Sequence, residues 1–179
     1  MVFIEKIIES ETIYEGKILN LRKDKVTVNN GTATREIVWH NGGSVILPVD
    51  EEERITLCRQ FRNGADQVLT ELPAGKIDKG EDPLETAKRE LEEETGLRAS
   101  SIEHLMTIFP SPGYCQEKLY IYVATDFTKV QRHLDDHEEI DLFQVSLEEA
   151  VDMIIDGRII DGKSIAGIMT YYAKKIRGK

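Results

Sequence analysis

The chain has 179 residues, 40% hydrophobic and 31% charged, which excludes a disordered polymer and suits one domain, or one domain with a small appendage. Acids outnumber bases 33 to 23, for a formal charge of -10. That surplus disfavours non-specific contact with nucleic acid or anionic lipid but leaves room for a small anionic substrate held by a few arginines or a metal.

In chain order, residues 1–40 predict short strands and turns. Residues 23–28 alternate in polarity, Asn29-Asn30-Gly31 signals a turn, and residues 34–39 are β-prone, together an N-terminal hairpin or small sheet. Gly42-Gly43 breaks the chain, and residues 44–49 are an apolar run suited to a buried strand. Residues 54–59 predict another strand, with a solvated turn at 50–53. After Gly80 comes a helix: Asp82 as N-cap, Pro83 at the first position, Glu85 closing a capping box, Leu84, Ala87 and Leu91 along one side, Gly96 as terminator. Strands follow at 102–109 and 118–125 around the turn Pro110-Ser111-Pro112-Gly113, then a polar, acidic stretch at 131–141. A helix capped by Ser146 with Glu149 runs to Gly157, and a last helix occupies 164–175. No internal repeat or low-complexity tract occurs.

Two cysteines, Cys58 and Cys115, do not make a disulfide scaffold, and no Cys/His spacing fits zinc. No apolar run is long enough to span a bilayer, and the start Val2-Phe3-Ile4-Glu5-Lys6 lacks a signal-peptide core. The expectation is a cytoplasmic protein with no membrane or nucleic-acid partner.

The helix after Gly80 carries the chemistry. Glu90, Glu93 and Glu94 lie at i, i+3 and i+4, within an arc of roughly 100° on one face. Like charges so placed repel each other by roughly 0.2–0.5 kcal/mol per pair, and a hard divalent cation would offset this. Mg²⁺ prefers carboxylate oxygens and is often shared with substrate phosphates, so the face suggests a platform for a phosphate-bearing ligand. The plain alternative is a solvated acidic face.

The flanking residues shift that balance. The pattern is Gly75, five residues, Glu81, seven residues, Arg89-Glu90-Leu91, one residue, Glu93-Glu94, one residue, Gly96-Leu97. It matches the Nudix box at every specified position, and the chain resembles the Nudix hydrolases, which cleave nucleoside diphosphates linked to another group. The resemblance implies an α/β (α+β) fold, an α/β/α sandwich with a mixed sheet. It also implies that Glu90, Glu93, Glu94 and the carbonyl of Ala74 ligate Mg²⁺, or Mn²⁺. Arg89 and Glu81 would orient the ligand helix, and Arg89 and Glu93 count among the catalytic residues.

Pro112, 16 residues after Gly96, resembles the marker proline of the ADP-ribose pyrophosphatase subfamily. With it go Gly113 and Glu117, the latter placed by the resemblance near the terminal ribose. Arg35 and Arg62 are candidate substrate contacts, since a guanidinium can fork onto phosphate oxygens, or else ordinary surface arginines. Trp39, the single tryptophan, could stack an adenine or fill a core. The subfamily resemblance implies a domain at 1–41 that forms a homodimer and completes a substrate pocket, then a Nudix domain at 42–179. The implied reaction is hydrolysis of ADP-ribose to AMP and ribose 5-phosphate. The alternatives are another nucleotide sugar such as GDP-mannose, or a non-catalytic nucleotide sensor.

A general base must come from outside the metal-occupied box. In the subfamily a loop glutamate serves, and in Asp135-Asp136-His137-Glu138-Glu139-Ile140-Asp141 the best match is Glu138, with Glu139 one position off.

Two other motifs are read as coincidence. Gly157-Arg158-Ile159-Ile160-Asp161-Gly162-Lys163-Ser164 fits the P-loop pattern. A capped helix, not a strand, precedes it, so substituting Lys163 should leave nucleotide chemistry largely intact. His133 and His137 are spaced i, i+4 but lack the Glu of a zinc helix.

Overall fold

The computed structural model describes residues 2–178, so the expected domain limits at 1 and 179 lie outside the described residues. The chain forms two compact units.

The first unit comprises the residues up to Gly42 together with Phe109–Lys118. Its strands β1 (Ile7–Glu15), β2 (Asn20–Val28) and β3 (Gly31–Trp39) form an antiparallel sheet in the order β1-β2-β3. Val28 pairs with Gly31, so Asn29-Asn30 is a two-residue hairpin loop, with Gly31 at φ 137°. The segment after Phe109 joins this unit through backbone bonds: Val38 N donates to Tyr114 O at 2.7 Å and Gln116 N to Val38 O at 3.1 Å.

The second unit runs through β4 (Gly43–Pro48), β5 (Arg54–Arg62), β6 (Gln67–Glu71), β7 (Ala74–Lys76) and α1 (Pro83–Thr95). It continues through β8 (Leu97–Ile108), β9 (Leu119–Lys129), β10 (Asp141–Ser146), α2 (Leu147–Ile155) and α3 (Gly162–Arg177). One sheet has the order β7-β4-β9-β8 and is mixed: β4 runs parallel to β9, the other pairs are antiparallel. The second sheet is antiparallel in the order β10-β5-β6.

Side chains alternate across a strand, and β4 and β9 use both faces. Val45, Leu47 and Ile121 face a core with Leu147 and Ala150 of α2 and Ile168 of α3. Ile46, Tyr122 and Ala124 face the opposite way, onto Ala87 and Leu91 of α1. With both faces covered, β4 is buried at every position, which explains its unbroken apolar run. Burying a side chain such as Leu91 contributes about 2 kcal/mol, so this seam fixes where α1 lies.

Both α1 boundaries follow the sequence. Asp82 caps the N-terminus, accepting from Leu84 N at 2.8 Å, and Gly96 takes the left-handed conformation that ends it, at φ 69°. The expected capping box is not closed by Glu85, whose carboxylate instead accepts from Lys88 Nζ at 2.7 Å, one turn along. Ser146 caps α2 as expected, accepting from Glu149 N at 3.1 Å.

Candidate active site

One helix face and its surroundings bring the box residues together around Arg89. Its Nε and Nη2 grip the two oxygens of Glu81, each at 3.1 Å. Its Nη1 donates to Glu90 Oε1 at 2.7 Å and to Glu93 Oε2 at 2.9 Å. Such a forked arrangement suits a guanidinium and not an ammonium. The bond from Arg89 holds the Glu81 carboxyl down at about 2, so Glu81 is an ionised brace. Glu81 also accepts from Asp78 N at 3.1 Å, which ties the turn before α1 to its ligand face.

Glu90 and Glu94 are buried differently from Glu93. Burial pushes Glu90 up to about 7, with Arg89 opposing. Burial also pushes Glu94 up to about 8, helped by the charges of Glu90 and Glu138. Glu94 Oε2 accepts from Ala74 N at 3.0 Å, so the strand that enters the box is hydrogen-bonded to a box carboxylate. Gly75 is required by close approach. A Cβ there would sit 1.9 Å from Glu90 Oε1, so only glycine leaves the carboxylate its place.

Among the described residues no three His, Cys, Asp or Glu side chains converge as a metal-holding group. Glu90 and Glu93 turn onto Arg89, and Glu94 onto the Ala74 amide. The donor set still fits a hard divalent cation. It is all oxygen, Glu94 is buried and Glu90 half-buried, burial raises the pKa of both, and Gly75 keeps a cradle beside Glu90 that any larger residue would fill.

The loop after β9 brings a further carboxylate to this group. The half-buried Glu138 raises the pKa of both Glu90 and Glu94 by its charge, while Glu139 is exposed and figures in neither. Gln60 Nε2 donates to Glu138 Oε1 at 3.2 Å. Glu138 also lines an open groove of about 650 Å³ with Arg59, Phe61 and Leu134.

Arg62 lies on β5 in the same unit, but its guanidinium is committed to Glu71, with Nε and Nη2 donating to the two carboxylate oxygens at 2.9 and 2.8 Å. Glu71 is fully buried and also takes Lys163 Nζ. Burial alone would raise its pKa, yet Arg62 and Lys163 together hold it below the usual carboxylate range. Glu71 was not singled out from the sequence. It stands directly before Leu72-Pro73-Ala74-Gly75, but its partners are distant in sequence and no local pattern marks it.

The P-loop-like motif has α2 before it and buries Ile159 in the core, so it makes no phosphate loop. The zinc pattern also finds no support: His137 sits at φ 69° in a turn, and His133 N is bonded to Glu93 O at 3.1 Å.

The remaining candidates belong to the first unit. Arg35 pairs with Glu5 through Nη2 and Nε. Trp39 is part-exposed, with the Arg22 guanidinium stacked 4.6 Å from its ring centroid. Pro112 and Gly113 lie in the turn that Cys115 N closes onto Ser111 O at 2.9 Å. His40 Nδ1 lies 3.0 Å from the Gly42 amide nitrogen and 3.3 Å from Glu117 Oε1.

Comparison with known proteins gives the family and the fold. A sequence profile for the NUDIX domain matches residues 39–167, and one for the nucleoside diphosphate sugar hydrolase N-terminal domain matches residues 5–38. The chain is 39% identical over 170 residues to a methanol dehydrogenase activator of Bacillus methanolicus, covering 93% of this chain and 92% of that one. It is 36% identical over 174 residues to an ADP-ribose pyrophosphatase of Bacillus subtilis, covering 96% and 94%. It is 34% identical over 151 residues to a GDP-mannose pyrophosphatase of Yersinia enterocolitica, covering 76% and 78%. A crystal structure of an ADP compounds hydrolase superposes with a TM-score of 0.87 at 22% identity, over 99% of this chain and 97% of that one, which establishes the fold. The chain belongs to the NUDIX-domain family and is a Nudix-fold hydrolase of phosphoanhydride substrates.

Proposed function

We propose that the protein hydrolyses the diphosphate bond of ADP-ribose, with Mg²⁺ held by Glu90, Glu93, Glu94 and the Ala74 carbonyl. Family membership itself implies a divalent-metal-dependent nucleotide-sugar or nucleoside-diphosphate pyrophosphatase. What supports ADP-ribose is similarity to ADP-ribose pyrophosphatases over 96% and 93% of this chain, at 36% and 38% identity. The observation that carries the mechanism is that the charge of Glu138, whose Oε1 accepts from Gln60 Nε2 at 3.2 Å, acts on both Glu90 and Glu94.

When bound, a divalent cation neutralises the diphosphate and acidifies the attacking water. Glu138 takes the proton from that water. Gln60 Nε2 donates to its Oε1 and so orients the carboxylate. The water oxygen bonds to one phosphorus while the bridging P–O bond breaks, leaving AMP and ribose 5-phosphate. Arg89 keeps Glu90 and Glu93 on one side of α1, and Glu81 keeps Arg89 in place. Arg35, Trp39, Pro112, Gly113 and Glu117 are proposed as substrate contacts of the first unit, and Arg62, through the edge that Glu71 does not engage, as one of the second.

The test is product analysis of ADP-ribose and GDP-mannose in parallel, with and without Mg²⁺. The expected result is cation-dependent AMP from ADP-ribose, reduced at least about 100-fold in Glu94→Gln. Preferential GMP from GDP-mannose would retain the chemistry and replace the substrate. That second substrate has its own support in the 34% identity to GDP-mannose pyrophosphatases.

A homodimer belongs to the same proposal. β1 is exposed at all nine positions and displays Ile7, Ile8, Ile13 and Tyr14, a sheet edge that a monomer would leave open to aggregation. Sedimentation analysis should give the mass of two chains, and a single-chain mass at all concentrations would reject a dimer.

A further inference from the structure

We propose that Arg132 is a positioning residue that holds the Glu138 loop against the carboxylate helix. The last turn of α1 exposes backbone carbonyls and contains no basic residue of its own. The chain just after β9 supplies what is missing. Val130 N donates to Gly96 O at 2.8 Å, and His133 N to Glu93 O at 3.1 Å. The Arg132 side chain adds the charge: its Nε donates to Glu94 O, and its Nη2 to Ile140 O at 2.8 Å. A cation at a helix C-terminus is favourable in itself.

The two ends of this bridge matter more than its strength. Glu94 O belongs to a box residue. Ile140 is the buried far end of the loop, two residues after Glu138. A single planar guanidinium therefore sets both the closure of the loop and its distance from α1. Lysine could satisfy one carbonyl, but its ammonium lacks the rigid fork that spans both. No motif marks Arg132 in the sequence, because its partners are backbone atoms.

This role rests on Glu138 as the base. Arg132→Lys and Arg132→Ala are compared with Glu138→Gln and with the Arg132→Ala/Glu138→Gln double variant. Arg132→Lys should melt close to the unaltered protein. In both Arg132 variants kcat for ADP-ribose should fall about 10- to 100-fold with little change in KM, as expected for misplacement of a catalytic group. Guanidinium ion should restore part of the activity of Arg132→Ala, which a purely structural role would not predict. The double variant should be no slower than Glu138→Gln alone. Backbone amides of residues 133–140 should exchange faster with solvent in both Arg132 variants, without metal or substrate, while those of α1 stay protected. Unchanged kcat, multiplicative losses in the double variant, or unchanged exchange would each overturn the proposal. The exchange measurement needs no turnover, so it tests the clasp even if ADP-ribose is not the substrate.

Discussion

Glu138→Gln should lower kcat for ADP-ribose by about 10²- to 10⁴-fold, the range that general-base catalysis contributes, while the nucleotide sugar still binds. The substitution keeps the shape of the side chain and its contact with Gln60 but removes the basic oxygen. It also removes a negative charge that raises the pKa of Glu90 and Glu94, so those carboxyls ionise more readily. Single-turnover kinetics and calorimetric titration separate the two effects. Unimpaired turnover would transfer the role to another group, with Glu139→Gln the next variant to measure.

Lys163→Met should destabilise the fold by about 3 kcal/mol, the lower end of the range for breaking a buried ion pair, because Arg62 still faces Glu71. Lys163 also reaches Asp161 at 2.9 Å, and Ser164, next in sequence, accepts from Leu72 N at 2.7 Å. The start of α3 is thereby fastened to the residues that lead into the box. The pH dependence has a definite sign. The folded-state pKa of Glu71 is depressed, so its ionisation contributes stability above the unfolded carboxylate value of roughly 4.3, and loses it as pH falls through the folded value. In Lys163→Met that depression shrinks, so the deficit should be largest at neutral pH and smaller in acid. Urea unfolding at several pH values measures this, and a pH-independent deficit would show that Glu71 is not its source. Activity in the folded fraction should be affected less than stability, in line with the absence of any phosphate loop at this motif.

What was legible in the sequence was whatever short-range chemistry determines. The α1 boundaries followed from Asp82, Pro83 and Gly96, because caps and breakers act within a turn. The box spacing located Arg89 and its glutamates without reference to the rest of the fold. Three strands went unread. β7 has only three residues, Ala-Gly-Lys, and exists because β4 lies beside it. β6 is five residues with polar ends, and β10 sits between an acidic loop and the Ser146 cap, where no alternation can develop. Long-range polar partnerships were equally silent. Glu71 finds Lys163 across 92 positions, and Arg132 binds main-chain oxygens that any residue could provide. The capping box failed at Glu85 because Lys88, one turn on, competes for the same carboxylate.

The residues that complete the N-terminal sheet unit arrive late. Tyr114 and Gln116 bond to Val38, yet the ribosome makes them more than seventy residues after it. During synthesis β3 therefore waits with its Val38 amide and carbonyl unmatched until the box helix and β8 have already emerged. The same discontinuity governs any attempt to divide the gene: cutting after residue 42 would strand the 109–118 segment in the other product, so the two units cannot be separated by a single scission of the chain.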